Sequence, residues 1–411
     1  MPTAPKTPGA WLPPLHALGE VPWDGFTQRA QAVDPVVQRT AAKILAEVRA
    51  GGDGALQGIT RRLDKADLPD PFLAKADWDA AAATVPADLR AALRANHRRI
   101  RAFHALQAGG PQRLQTAPGL RLGRRPVPLE AVACYVPGGR ASYPSTVLMT
   151  VTLARLAKVP RIVVATPPRP DGTVDPAVLA AARIAGATHV LRAGGAQAIA
   201  ALAYGTPRIP PVQAIVGPGN AYVTAAKALV AAQVRTDAPA GPSELLVVAD
   251  GTARADEVAL DLMAQAEHDP DAQVLLASTS RTLAERVAKE LAVRVPRATR
   301  SATIESSLRD HGALLVAKDL AEALRFANAY APEHLALMVA NPVAALARVR
   351  NAGSVFLGRH TPVTLGDYGS GTNHVLPTMG HAALRGGLCV EDFRKWVTWQ
   401  EATPRGLRAV A

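Results

Sequence analysis

Two cysteines, Cys134 and Cys389, are all that the 411 residues contain, and neither stands in a CxxC pair. That scarcity argues against a disulfide framework and against a thiolate zinc site. Aromatic residues reach only 4%, and much of the 48% hydrophobic content is alanine. A core so poor in rings is built from small aliphatic side chains packed between helices and strands. No stretch approaches ~20 apolar residues without charge, so no membrane span is expected. The opening Met1-Pro2-Thr3-Ala4-Pro5-Lys6 lacks the basic start and apolar run of a signal peptide. These absences point to a soluble, cytoplasmic protein with no membrane partner.

Acidic side chains are also outnumbered, 34 against 46 Lys and Arg, which leaves a formal charge of +12. Excess base commonly serves to neutralise phosphate. The distribution argues otherwise here. Its densest cluster, Arg94, Arg98, Arg99 and Arg101, has helix-like spacing and one aromatic nearby, Phe103. Without a basic groove interleaved with aromatics, a solvated basic surface is expected and no nucleic-acid partner.

What is present is an α/β chain too long for one ordinary domain. The first 30 residues, rich in Pro, Gly and Trp, read as an irregular arm. Helical periodicity follows over 35–48 and 77–106. From about residue 130, short apolar runs at 131–136, 161–165, 189–191 and 212–216 alternate with helical patterns at 145–158, 176–184, 196–204 and 221–232. The pattern then recurs. Strands at 244–249, 274–277, 313–316 and 354–357 alternate with helices at 255–268, 282–293, 320–330 and 342–351. Strand alternating with helix is the signature of parallel sheets covered on both faces.

Three glycine-bearing loops follow predicted strands: Tyr135-Val136-Pro137-Gly138-Gly139, Ala193-Gly194-Gly195-Ala196-Gln197 and Val216-Gly217-Pro218-Gly219-Asn220. Glycine lets backbone approach a ligand, and helix N-termini offer N–H groups to a pyrophosphate. The G-x-G-x-x-G fingerprint is absent, so on spacing alone a nucleotide site and plain tight βα turns both remain open. Six histidines lie after residue 260: His268, His311, His334, His360, His374 and His381. Gln265 and His268 are spaced to share a helix face, Glu333 adjoins His334, and Asp367 and His374 flank a glycine-bearing segment. With no thiolate at hand, a metal would take N and O ligands. Taken singly, each of these is as well read as a cap or a solvated residue.

Together the segments resemble the histidinol dehydrogenase family. The blocks that carry the likeness run in order: Tyr135 to Gly139, Gly194-Gly195-Ala196-Gln197 through Ala203, Gly217-Pro218-Gly219-Asn220, and Asp237-Ala238-Pro239-Ala240-Gly241-Pro242-Ser243-Glu244. They continue with Gln265-Ala266-Glu267-His268-Asp269, Ala331-Pro332-Glu333-His334-Leu335, and Gly366-Asp367-Tyr368 through Asn373-His374-Val375-Leu376-Pro377-Thr378. The likeness covers roughly residues 30 to 410.

That resemblance implies a zinc- and NAD-dependent dehydrogenase that oxidises L-histidinol to L-histidine through a held histidinal, in the last steps of histidine biosynthesis. It implies Glu333 and His334 as the catalytic pair, and Gln265, His268 and Asp367 as zinc ligands. Tyr135, Gln197 and Asn220 match NAD contacts. Ser243 and His374 match substrate contacts, joined by His334 and the metal-holding residues. A homodimer whose subunits exchange parts is implied as well. The expected architecture is two Rossmann-like parallel-sheet domains with an irregular N-terminal arm, 1–30, and a short C-terminal tail, 386–411. Segments 31–127 and 241–385 form a discontinuous first domain with the metal and catalytic residues, and 128–240 forms a second with the NAD loops.

Two departures stand out. The family's later Glu-Gly-Leu-x-x-His motif, which supplies a further zinc ligand and a substrate contact, has no counterpart before Ala411, and the nearest string is Arg405-Gly406-Leu407. Val363 also stands where many members carry a substrate-contacting Glu. Three protein ligands still suit a zinc site completed by water or substrate. The alternatives are a substitute ligand such as His360 or His381, a different small amino or hydroxy alcohol such as dihydroxypropane sulfonate as substrate, or a weakened paralogue.

Overall fold

The computed structural model describes residues 11–29, 34–138 and 142–410. Gly139 of the first loop, and the first ten residues and Ala30 of the expected arm, lie outside them. The chain forms two compact units, each built on its own parallel sheet, as the alternating pattern predicts.

One unit takes the described residues up to 29, Ala238–Gly369 and Leu376–Gly387. Its sheet runs Leu15–Ala17, Gly312–Val316, Gln273–Ser278, Glu244–Ala249, His334–Met338, Ser354–Leu357, with every pairing parallel. The central strand Glu244–Ala249 is buried throughout. Leu245, Val247 and Ala249 enter one apolar core, while Leu246 and Val248 enter another. That split follows from the two-residue side-chain period of a strand covered on both faces. Helices Ala255–Ala266, Arg281–Arg294 and Ser301–His311 contribute to the first core and Leu320–Tyr330 to the second. The expected arm is not wholly irregular. Leu15–Ala17 pairs with Leu314–Val316 as an edge strand, because three alternating residues suffice to extend a sheet whose partner is already in place.

The other unit takes residues 34–237, Ser370–Val375 and the segment from Leu388. Its parallel sheet runs His189–Arg192, Arg161–Thr166, Ala131–Tyr135, Ala214–Val216, Arg235–Thr236. The chain leaves Ala131–Tyr135 toward one edge and returns to Ala214–Val216 on its other side. This reversal is a topological switch point, and ligands of such sheets bind beyond the carboxyl ends of the strands there.

This division corrects the expected domain boundaries. Residues 34–127 belong with the cofactor loops, not with the catalytic pair. Helix Pro35–Asp64 buries Ala41, Ile44, Leu45, Val48, Leu56 and Ile59 in the core that holds Ala198, Ile199 and Val223. Trp78 is buried in the other core of this unit and donates from Nε1 to the Leu179 carbonyl at 2.7 Å. An amphipathic pattern reveals an apolar face without saying which sheet will cover it. The expected helix over 77–106 is two, Lys75–Ala83 and Ala87–Ala105, parted at Pro86. An antiparallel sheet, Arg394–Ala402, Leu120–Pro128, Gln112–Ala117, was not foreseen. Its strands are polar and largely exposed, so no apolar run betrays them. Segment 394–402 therefore belongs to this unit as a paired strand.

Candidate active site

A cleft of about 920 Å³ opens beside the switch point, and Tyr135, Gln197 and Asn220, the three expected NAD contacts, all line it. Tyr135 ends the strand Ala131–Tyr135, and its hydroxyl accepts a hydrogen bond from the Gly195 backbone N–H at 3.0 Å. Burial pushes this phenol up to about 12, so it stays protonated. Gln197 lies in the first turn of helix Gly195–Tyr204, is 1% exposed, and donates from Nε2 to Asp64 Oδ2 at 3.3 Å. Among the described residues its buried Oε1 has no hydrogen-bond partner. Asn220 caps helix Ala221–Val230 by accepting from Val223 N at 3.1 Å.

Gly217 shapes the last loop. Its φ is +115°, and a Cβ there would stand 2.1 Å from the Tyr135 carbonyl oxygen, so no other residue fits. A buried Lys227–Asp237 ion pair fixes the same residue from both sides: Asp237 accepts from Gly217 N at 2.7 Å, and Lys227 donates to Gly217 O at 3.0 Å. Nothing in the spacing announced that clamp, since a buried charge pair leaves no local pattern.

In the other unit, Glu333 and His334 sit where the chain enters strand His334–Met338, both nearly fully buried. Ala331, with φ of +48°, turns the chain out of helix Leu320–Tyr330 just before them. Glu333 and Glu244 bond reciprocally: Glu333 Oε2 accepts from Glu244 N at 2.9 Å, and Glu244 Oε2 accepts from Glu333 N at 3.2 Å. Glu244 is 0% exposed, and Arg29 Nη1 neutralises it at 2.6 Å while Met379 N donates to it at 2.6 Å. Burial nonetheless raises the Glu244 carboxyl above its ordinary value, against the pull of Arg29. Glu244 was visible as part of a motif, yet neither it nor Arg29 carried any sign of this role.

His334 Nδ1 lies 3.0 Å from the Glu244 carbonyl oxygen and 3.5 Å from Glu333 Oε2. Both neighbours only accept, so Nδ1 carries the proton and Nε2 is the basic nitrogen. Burial pulls this imidazole down, but the charge and hydrogen bond of Glu333, then Asp367 and the Glu244 carbonyl, outweigh it. Together they raise it to about 9.

Gln265 is buried in helix Ala255–Ala266, and among the described residues its Nε2 has no hydrogen-bond partner. His268 is exposed and lies beyond the end of that helix, its N–H donating to Gln265 O at 3.2 Å. The expected shared helix face therefore stops two residues early, although His268 remains one turn from Gln265. Asp367 stands in the short helix Val363–Tyr368, which packs against Ala255–Ala266. One turn before Gln265, buried Asp261 accepts a hydrogen bond from the Val363 backbone, and burial lifts its carboxyl to about 6. Among the described residues, no three His, Cys, Asp or Glu side chains gather as a metal cluster. The expected set holds only two residues of those types. Ser243 is half-buried just before strand Glu244–Ala249, and His374 falls in the unit of the cofactor loops. No described helix is long and apolar enough to cross a membrane.

A sequence model of histidinol dehydrogenase matches residues 27–411. The chain is 46% identical over 399 residues to the histidinol dehydrogenase of Methanosarcina barkeri (strain Fusaro / DSM 804), covering 96% of this chain and 91% of that protein. It is 49% identical over 378 residues to that of Cereibacter sphaeroides, covering 92% and 87%. The crystal structure of histidinol dehydrogenase from Elizabethkingia anophelis superposes with a TM-score of 0.92 at 35% identity, covering 97% of this chain and 92% of that one.

Proposed function

The chain belongs to the histidinol dehydrogenase family, and from that premise we propose that it oxidises L-histidinol to L-histidine with two NAD as hydride acceptors. The observation that carries the proposal is the buried Glu333–His334 pair with Nδ1 committed to carbonyl and carboxylate oxygens, which leaves Nε2 as a proton acceptor. Alcohol oxidation requires the hydroxyl proton to leave as hydride departs from the carbinol carbon, and His334 Nε2 takes that proton. The resulting aldehyde must add water before a second hydride can leave. Glu333, held by the Glu244 N–H, is the base that takes the water's proton. Loss of the second hydride from the hydrate then gives the carboxylate. Nicotinamide, when bound, supplies the hydride acceptor, and Tyr135, Gln197 and Asn220 line the cleft that suits it.

A zinc ion fits Gln265, His268 and Asp367. Amide oxygen, imidazole and carboxylate are donors it accepts, and the buried Gln265 amide has an atom without a partner among the described residues. Rotating that amide by half a turn puts its oxygen in the same place. Bound there, zinc would anchor the amino and imidazole nitrogens of the substrate. Ser243 and His374 are proposed as further substrate contacts. Two free cysteines accord with a reducing compartment, and cytoplasm is the proposed location. We propose a homodimer, as in the family, and sedimentation equilibrium returning a monomer mass would refute it.

The direct test is His334→Asn. The account expects kcat to fall by about 10²–10⁴ with NAD affinity nearly unchanged. Undiminished turnover in the folded variant would remove His334 from the mechanism.

A further inference from the structure

Asp64 is the last residue of helix Pro35–Asp64, and its half-buried carboxylate lines the cofactor cleft. A carboxylate is poorly placed at a helix C-terminus, where the backbone dipole is negative. Nor, among the described residues, does a cation compensate it. Arg61 pairs with Asp67, Arg62 with Glu47, and Lys65 Nζ donates to the Arg62 carbonyl. Among the described residues its one hydrogen bond comes from Gln197 Nε2. Burial lifts its carboxyl to about 6, so it is ionised at neutral pH. An uncompensated charge held in a cleft at such cost calls for a ligand with donors to offer.

The rest of the cleft agrees. Arg169 is the cation among its described lining residues, and it is engaged by Asp175 at 2.7 Å. Gln197 Oε1, buried and without a partner among the described residues, is a second acceptor on the same wall. Two acceptors, one of them anionic, suit a pair of hydroxyl donors and repel a phosphate. Acidic residues in dinucleotide clefts take ribose hydroxyls, whereas a 2′-phosphate needs an arginine.

We propose that Asp64, oriented by Gln197, binds the adenosine ribose hydroxyls and makes this cleft selective for a dinucleotide without a 2′-phosphate. The inference rests on the dinucleotide reading of the cleft. Its test is equilibrium titration of the full chain with NAD and with NADP, for the parent protein, Asp64→Asn and Asp64→Glu, with thermal midpoints to show folding. The parent is expected to prefer NAD by ~100-fold or more. Asp64→Asn should shrink that preference at least ~10-fold by weakening NAD and strengthening NADP, and Asp64→Glu should largely retain it. An unchanged preference in folded Asp64→Asn overturns the proposal while leaving the dinucleotide reading intact. Binding of neither dinucleotide by the parent overturns that reading and this inference with it. A second arm needs no variant: ADP-ribose should compete with NAD on the parent far better than ADP-ribose 2′-phosphate. Equal competition by the two fragments also overturns the proposal.

Discussion

His334 owes its chemistry to its neighbours more than to its own type. Glu333, with Asp367 behind it, holds its pKa up at about 9, and a zinc ion on Asp367 would cancel that carboxylate's share. The oxidation consumes the base form, so kcat/KM for histidinol should climb with pH, by up to about tenfold per unit, until His334 has lost its proton. A pH–rate profile from 6 to 10 reads this directly, and a rate independent of pH across that range would contradict it. Glu244 acts one step behind. In Glu244→Gln the buried Arg29 guanidinium loses its counter-charge, and stability should drop by about 3–5 kcal/mol in chemical denaturation. A loss below ~1 kcal/mol would mean that Arg29 finds water instead. At this scale the sequence was uneven. Glu333, His334, Tyr135, Gln197 and Asn220 were legible as members of motifs. Asp64, Arg29 and Lys227 were not, because neither a partner far along the chain nor a buried charge pair leaves periodicity or spacing to read.

Elements carry the site by ending in the right place. Tyr135 closes one strand and Gly217 follows the next, so both loops emerge at the carboxyl edge where the topology reverses. Gly217→Ala would place a methyl group 2.1 Å from the Tyr135 carbonyl oxygen. Since only backbone can yield, NAD affinity should fall at least tenfold, about 1.4 kcal/mol. Calorimetric titration of the variant checks it, and unchanged affinity would show that the loop adjusts freely. The strands of both parallel sheets were legible in outline, since buried central strands read as continuous apolar runs bounded by Gly and Pro. Strand His334–Met338 is harder to read, because it is short and opens at a Glu-His pair that interrupts its apolar run. Helix Pro35–Asp64 was read only as far as residue 48, since Gly51, Gly52 and Gly54 interrupt the helix formers; φ of +54° at Gly52 marks a real kink.

At the scale of the whole molecule, the sequence announced two α/β units and misjudged where residues 34–127 belong. Helical phase is a local property, whereas the choice of covering sheet depends on cores assembled from distant segments. The charge of +12 finds a plain outlet in side chains such as Arg94, Arg98, Arg99 and Arg101, all exposed. The catalytic claim reaches the whole chain because a four-electron oxidation needs two hydride transfers from one substrate molecule. The most direct test is the stoichiometry of a limiting L-histidinol oxidation with excess NAD and zinc, following NADH by absorbance and the product by chromatography. The account predicts two NADH and one histidine for each histidinol consumed. A single NADH with free aldehyde, or no turnover at all, would contradict it.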